Sequence, residues 1–257
     1  MTALISKELR QTWRSFRLPA LMLVLLFLAI MDPLVTMYMD EILARFVEGV
    51  TIVLPPPSSA LAIGQFLGDV AELGILVVIG ISMGSVASEK ANGVASFVVT
   101  RPATRIAYVA AKYIVLLGGL TLALAATTLV ASLYSLTLIG PVDVGRVIPA
   151  AVSAWIFSAF ILNATFAASM IARSSLAAGG IGFAVYFVTA AAGGLLDSTA
   201  AGPWLPSALI SNINIFLSGS GTLDVATRLL KPGAVVLLLS TLFLGLGLRL
   251  FKHQDLP

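Results

Sequence analysis

The sequence has no cysteine and a single histidine, His253, close to its C-terminal end. The first absence excludes disulfides and thiolate metal sites. The second leaves no histidine-based metal cluster and no serine–histidine pair at membrane depth. Charge is scarce too: Asp, Glu, Lys and Arg make up 11% of 257 residues, and a soluble domain of this length needs a far more polar surface. No Gly-x-x-x-x-Gly-Lys-Ser/Thr loop occurs, so ATP is not bound by that route. No internal repeat, low-complexity tract or separate soluble domain is visible.

What is abundant is apolar sequence. Hydrophobic residues make up 59% and the mean hydropathy is +1.04, which places the chain among integral membrane proteins. The sequence pI of 9.4 does not point to nucleic acid, because the 15 basic residues are spread along the chain. A bias of basic residues toward one side of a membrane explains the excess better.

Residues 1–17 read as an amphipathic interfacial helix. Ile5, Leu9, Trp13 and Phe16 recur at helical spacing, with Lys7, Arg10, Arg14 and Arg17 on another face. The other reading is a secretory leader, basic residues followed by Leu18 to Met31, but no small-residue cleavage site follows.

The first span is expected from Leu18 through Asp32-Pro33 toward Met39, kinked at the proline. Asp32 is expected at the span end in contact with water; the other reading turns it to the bundle interior, where a carboxylate is a functional candidate. Residues 40–69 are placed outside. They hold a second surface helix with the apolar stripe Ile42, Leu43, Phe46, Val47 and Val50, ended by Pro55-Pro56-Pro57. The later spans are expected over 70–87, 106–139, 147–172, 176–196 and 232–248. Span three is longer than a bilayer needs, so it is expected to project into the cytosol with Arg105 and Lys112 on its inner end. Residues 198–231 are placed outside, with Trp204 to Leu217 as a re-entrant or interfacial helix.

Counting basic loop residues sets the orientation. With both termini in the cytosol, 11 of the 15 basic residues lie inside and 4 outside. The central portions of the spans lack charge, which disfavours an ion-coupled carrier. Asn163 reads as interhelical hydrogen-bonding glue. Span five, rich in Gly and Ala, reads as centrally packed or at a subunit interface, with packing inside one subunit as the other reading.

One charged, non-spanning stretch interrupts the apolar runs on the cytosolic side: Ser88 to Lys112, SEKANGVASFVVTRPATRIAYVAAK. Glu89 and Lys90 end span two, and Arg101, Pro102, Arg105 and Lys112 surround the start of span three. Gly93 to Val99 suits a short surface helix that presents one face to a partner, with Phe97 as its one aromatic residue.

These features resemble the permease subunits of type-2 ABC exporters. Members have a basic amphipathic elbow helix with Lys-Glu-Leu, here Lys7-Glu8-Leu9, within the stretch that also carries Arg10, Trp13 and Arg14. They also carry Glu-x-x-x-Gly after span two, then Pro, then Arg and Lys at the start of span three. Here these are Glu89, Gly93, Pro102, Arg105 and Lys112, and Val94 stands where the family usually has Thr. The resemblance implies a single permease domain over 1–257, in an all-α integral membrane protein. It has six transmembrane helices, an N-terminal interfacial helix and short extracellular helices before the last span. It implies that residues 88–105 couple to a separate ATPase subunit through Glu89, Lys90, Gly93, Phe97, Arg101 and Pro102, with Arg105 and Lys112 beyond. Ion pairs of Glu89 with Arg101 or Arg105 would brace the segment. ATP and Mg would be held by the ATPase, with no cofactor, metal or catalytic residue in this chain. The partners implied are two ATPase subunits, a second permease, identical or related, and membrane lipids. The alternatives are a non-transporting scaffold subunit of a larger complex and an intramembrane enzyme, for which no catalytic set exists at membrane depth.

Overall fold

A computed structural model describes residues 2–46, 55–91, 105–219 and 224–253 of the chain. Among these residues the structure is all helical, and six helical units are long and apolar enough to cross a membrane. The elbow helix, Thr2–Arg14, is joined to span one, Arg17–Phe46, by a two-residue corner. Phe16 sits in the left-handed region there, with φ 61°, an unusual conformation for a bulky residue and one that turns the chain sharply.

Span one departs from expectation. It is a single helix through Pro33 and on through Asp40 and Glu41 to Phe46, so the separate surface helix expected from residue 40 does not begin there. No glycine or proline interrupts the sequence between Pro33 and Phe46, and charge alone does not end a helix. The rest of that expected helix, residues 47–50, lies outside the described residues. Asp32 follows the second of its two readings and not the first: it is 6% exposed and faces the bundle interior.

Span two is built from pieces. Ser58 caps the first, Ser59–Asp69, its hydroxyl accepting from Leu61 N at 3.2 Å. A π-turn, Val70–Gly74, leads into the helix Ile75–Met83, and after a short break Ala87–Ala91 completes the unit. Residues 59–69, expected outside, thus belong to the span, with Ala62, Ile63, Phe66 and Leu67 buried.

Span three, Arg105–Leu138, and span four, Val144–Ile171, match expectation to within a few residues. At 34 residues span three is about 50 Å long, well beyond a ~30 Å hydrocarbon core. Span four is the axis of the bundle. Its inward side chains, among them Phe157, Phe160, Leu162 and Phe166, are fully buried, and it packs against spans two, five and six.

Span five, Ser175–Leu196, is capped by Ser174 and lies at the edge. Only 22% of its apolar window is buried, against 67% for span four, so it is not centrally packed in a single chain. It reaches span four closely at Gly182, where an added Cβ would overlap the Thr165 hydroxyl.

The short helix expected around Trp204 to Leu217 is present as Ala208–Ser218, after a 3-10 turn at Gly202–Trp204. Its Leu209, Ile213 and Phe216 are buried against spans two and four. Gly219, with φ 65°, ends it in the left-handed conformation that glycine adopts most easily. Span six, Val225–His253, starts seven residues before expectation and carries Pro232 inside the helix. Proline lacks the N–H that would bond the carbonyl four residues back, that of Arg228. Asn212 Nδ2 donates to that freed carbonyl at 2.9 Å, and Arg228 Nη1 donates to Asn212 Oδ1 at 3.3 Å.

The bundle has two distinct ends. At the far end Ser59 Oγ donates to Gly140 O at 2.7 Å, and Arg146 reaches Leu217 O. At the near end lie the elbow helix, both stems of the stretch between spans two and three, and the close of spans four and six.

Candidate functional site

The near end holds a buried ionic cluster. On the elbow helix Glu8 is 4% exposed, and the adjacent turn is covered by Thr12, whose hydroxyl donates to Glu8 O at 2.7 Å. On span three, Tyr108 and Lys112 are one helical turn apart and therefore share a face. Both are buried, and the Lys112 ammonium lies 5.0 Å from the centroid of the Tyr108 ring. Glu89, 6% exposed, is delivered by the helix Ala87–Ala91 at the end of span two.

These three elements meet at Lys112. Its Nζ donates to Glu89 Oε1 at 2.7 Å and to Glu8 Oε2 at 2.8 Å. Gln11 Nε2 also donates to Glu89 Oε1, at 2.8 Å, and the Tyr108 hydroxyl donates to Glu89 Oε2. Lys7, nearly half exposed, reaches Glu8 Oε1 at 3.2 Å. Two carboxylates thus share one buried ammonium, with the second positive charge at the rim. Each carboxylate oxygen of the pair has a donor, which offsets the cost of taking these charges out of water.

The backbone around the cluster is fastened as well. The break between Met83 and Ala87 exposes amide groups, and Ser169 Oγ of span four accepts from Val86 N at 2.9 Å and Ala87 N at 3.1 Å. Lys90 Nζ donates to Met170 O at 2.7 Å, and Arg105 Nη1 donates to Phe251 O at 3.1 Å. Both cations thus meet carbonyls in the last turn of a helix, where positive charge is favoured. Arg17 reaches Gly84 O at 3.4 Å.

The sequence-predicted residues divide into three groups. Glu8, Glu89 and Lys112 are brought together, and Lys7, Lys90 and Arg105 lie around them. Among the described residues Glu89 takes Lys112, and not Arg105, as its cation, and Lys112 is buried rather than standing on a solvated projection. Leu9, Arg10, Trp13 and Arg14 are exposed on other faces of the elbow helix. Gly93, Phe97, Arg101 and Pro102 lie outside the described residues. Sequence reasoning missed Gln11, Tyr108 and Ser169. Two of these carried a signal: Gln11 is three residues from Glu8, and Tyr108 four residues from Lys112, on shared helix faces.

Asn163, expected as interhelical glue, is buried in span four, with Oδ1 lacking a hydrogen-bond partner. Among the described residues there is no group of three or more His, Cys, Asp or Glu side chains that could hold a metal ion.

Comparison with known proteins agrees with this architecture. Residues 2–256 match the sequence model of the family described as ABC-2 family transporter protein. Over 118 residues the chain is 32% identical to an uncharacterized transmembrane protein, YxlG, of Bacillus subtilis (strain 168). That match covers 45% of this chain and 46% of the relative, so it spans about half the length of each. A family match over nearly the whole chain, on six helical units long and apolar enough to cross a membrane, places the protein: it belongs to the ABC-2 transporter family.

Proposed function

We propose that this chain is one permease of an ATP-driven exporter, and that residues 88–105 receive force from a separate ATPase subunit. The observation that supports this most is the position of Lys112, whose ammonium joins Glu8 of the elbow helix to Glu89. Glu89 lies on one stem of residues 92–104, and Tyr108 and Lys112 lie on the other. A displacement of that segment therefore reaches one rigid cluster from both sides and passes through Glu8 to the elbow helix.

In this reading Glu89 is a positioning residue, since it is buried among Gln11, Tyr108 and Lys112. Direct contact with the ATPase is assigned to Gly93, Phe97, Arg101 and Pro102. A short apolar face held in a partner's groove is a common mode of helix recognition. ATP and Mg bind the ATPase, and the working unit has two ATPases and two permeases. Closing of the ATPase dimer moves the coupling segments, tilts the spans and changes access to a path between the permeases. ATP acts by favouring one of two states through differential affinity. Both termini and the cluster end face the cytosol, in keeping with the 11 of 15 basic residues on that side.

The test is the complex carrying Glu89→Gln. We expect the variant to retain the ATPase, while hydrolysis by the complex no longer differs from that of the isolated ATPase subunit. Hydrolysis that still responds to the permease as in the unaltered complex would refute the assignment.

A further inference from the structure

An apolar groove of about 320 Å³ runs along the elbow helix, between that helix and spans one and three. Its walls include Leu9, Trp13, Met22, Ile114 and Leu122, and Gly118 lies along its side. Every lining residue is apolar, and several are held open to the surroundings: Trp13 is 60% and Leu122 72% exposed. Exposed apolar side chains recur along the spans; here they line a furrow.

The same helix supplies a second, independent feature. Ile5, Leu9 and Trp13, at spacings of four, form the stripe that lines the groove, while Arg10 and Arg14 lie on the neighbouring face. Both arginines are exposed, and neither has a carboxylate partner among the described residues. Lys7, by contrast, is engaged with Glu8. An occupant with an alkyl chain in the groove and a negative headgroup beside Arg10 and Arg14 satisfies both features.

We propose that this groove is a binding site for one anionic phospholipid of the leaflet in which the elbow helix lies. One acyl chain fills the furrow between Trp13 and Leu122, and the phosphate meets the two unpaired guanidiniums. Arginine forms strong charge-assisted hydrogen bonds to phosphate, which suits this role better than a nonspecific surface charge. Leu9 of the groove is adjacent to Glu8 on the elbow helix, and the groove and Glu8 both face span three. The bound lipid therefore braces the elbow helix beside the ionic cluster. The inference rests on the elbow helix lying in the headgroup layer and is independent of the coupling assignment.

The groove can be closed without disturbing its walls. A Cβ added at Gly118 meets nothing within 4 Å, so Gly118→Leu projects into the furrow. The experiment is native mass spectrometry of the full-length protein extracted with its partners. Phosphatidylglycerol is titrated against phosphatidylcholine of the same chain length. We expect the unaltered protein to hold one phosphatidylglycerol per chain in preference to phosphatidylcholine. Gly118→Leu should lose that lipid, and so should Leu122→Trp, which fills the groove from its side should the first variant fail to fold. Arg10→Gln with Arg14→Gln should lower the preference for the anionic lipid by about tenfold or more, from the loss of two guanidinium charges beside the headgroup. Equal retention in the filled-groove variants, or no preference for the anionic lipid, would overturn the proposal. So would a disulfide between cysteines introduced at Leu122 in two chains, which would show a second copy seated in the groove.

Discussion

Glu89 and Lys112 meet at 2.7 Å, each with its side chain almost fully removed from solvent, although 23 residues separate them in the chain. The intervening residues include the whole of 92–104, so this pair closes the base of the segment to which coupling is assigned. Glu8 joins from the elbow helix, 104 residues away from Lys112. The pair is therefore a junction of three helical elements.

The cluster predicts an asymmetry between two substitutions. Lys112→Met leaves Glu8 and Glu89 facing each other in a buried site without their shared cation. Breaking a buried pair in this way costs about 3–5 kcal/mol. Glu89→Gln leaves Lys112 paired with Glu8 and keeps an amide able to meet Gln11 and Tyr108, so the loss should be about 1 kcal/mol. Thermal unfolding in detergent should rank Lys112→Met far below Glu89→Gln. Equal losses would mean that the three charges do not act as a unit.

A second prediction concerns the bond that Pro232 makes necessary. Asn212→Ala leaves the Arg228 carbonyl without the N–H that proline lacks and without its substitute donor. The bond is part-buried, so its loss costs about 1 kcal/mol. Adding Pro232→Ala restores the helical donor and should recover most of that loss. Unfolding of the two single variants and the double variant checks this, and additive effects would contradict it.

The edge position of span five bears on assembly. Gly180 is exposed there, and an added Cβ meets nothing within 4 Å. Gly180→Leu should leave the single chain folded while weakening the association of two permeases, because small residues allow close helix approach in membranes. The contrast is Gly182→Leu, which collides with Thr165 and should destabilise the chain itself. Mass measurement of the purified complex distinguishes the two, and an unaltered permease pair in Gly180→Leu would place the interface elsewhere.

Orientation is open to a direct check because the chain has no cysteine of its own. With the cluster end in the cytosol, a membrane-impermeant thiol reagent applied to intact cells should label Ser58→Cys and leave Ser96→Cys unlabelled. The reverse pattern would invert the topology.

Much of this architecture was legible from hydropathy alone. Six apolar runs and an amphipathic N-terminal helix were enough to give the fold class, because backbone groups in lipid must be satisfied within each helix. Span ends were less legible. Gly64, Gln65 and Gly68 dilute the apolar signal at the start of span two, although that turn is buried against neighbouring helices. Pro232 looked like a helix start, a position that suits proline. It lies instead within span six, where Asn212 from another helix makes it tolerable, and that partner cannot be read from spacing. In the cluster, Glu8, Glu89 and Lys112 were each picked out singly. Their meeting depends on how three helices pack, over separations of 23 and 104 residues, and local pattern carries no trace of it.

The proposed docking of the ATPase on residues 88–105 should be most sensitive to Phe97. The measurement is retention of the ATPase subunit on the affinity-purified permease, for the unaltered chain and for Phe97→Ala. Thermal stability of the permease serves as the control. A few side chains usually dominate such an interface, so truncation of its one aromatic residue should weaken docking by about 1–3 kcal/mol. The Phe97→Ala permease should keep its stability and lose most of its ATPase during washing. Full retention by Phe97→Ala, at equal stability, would contradict that docking.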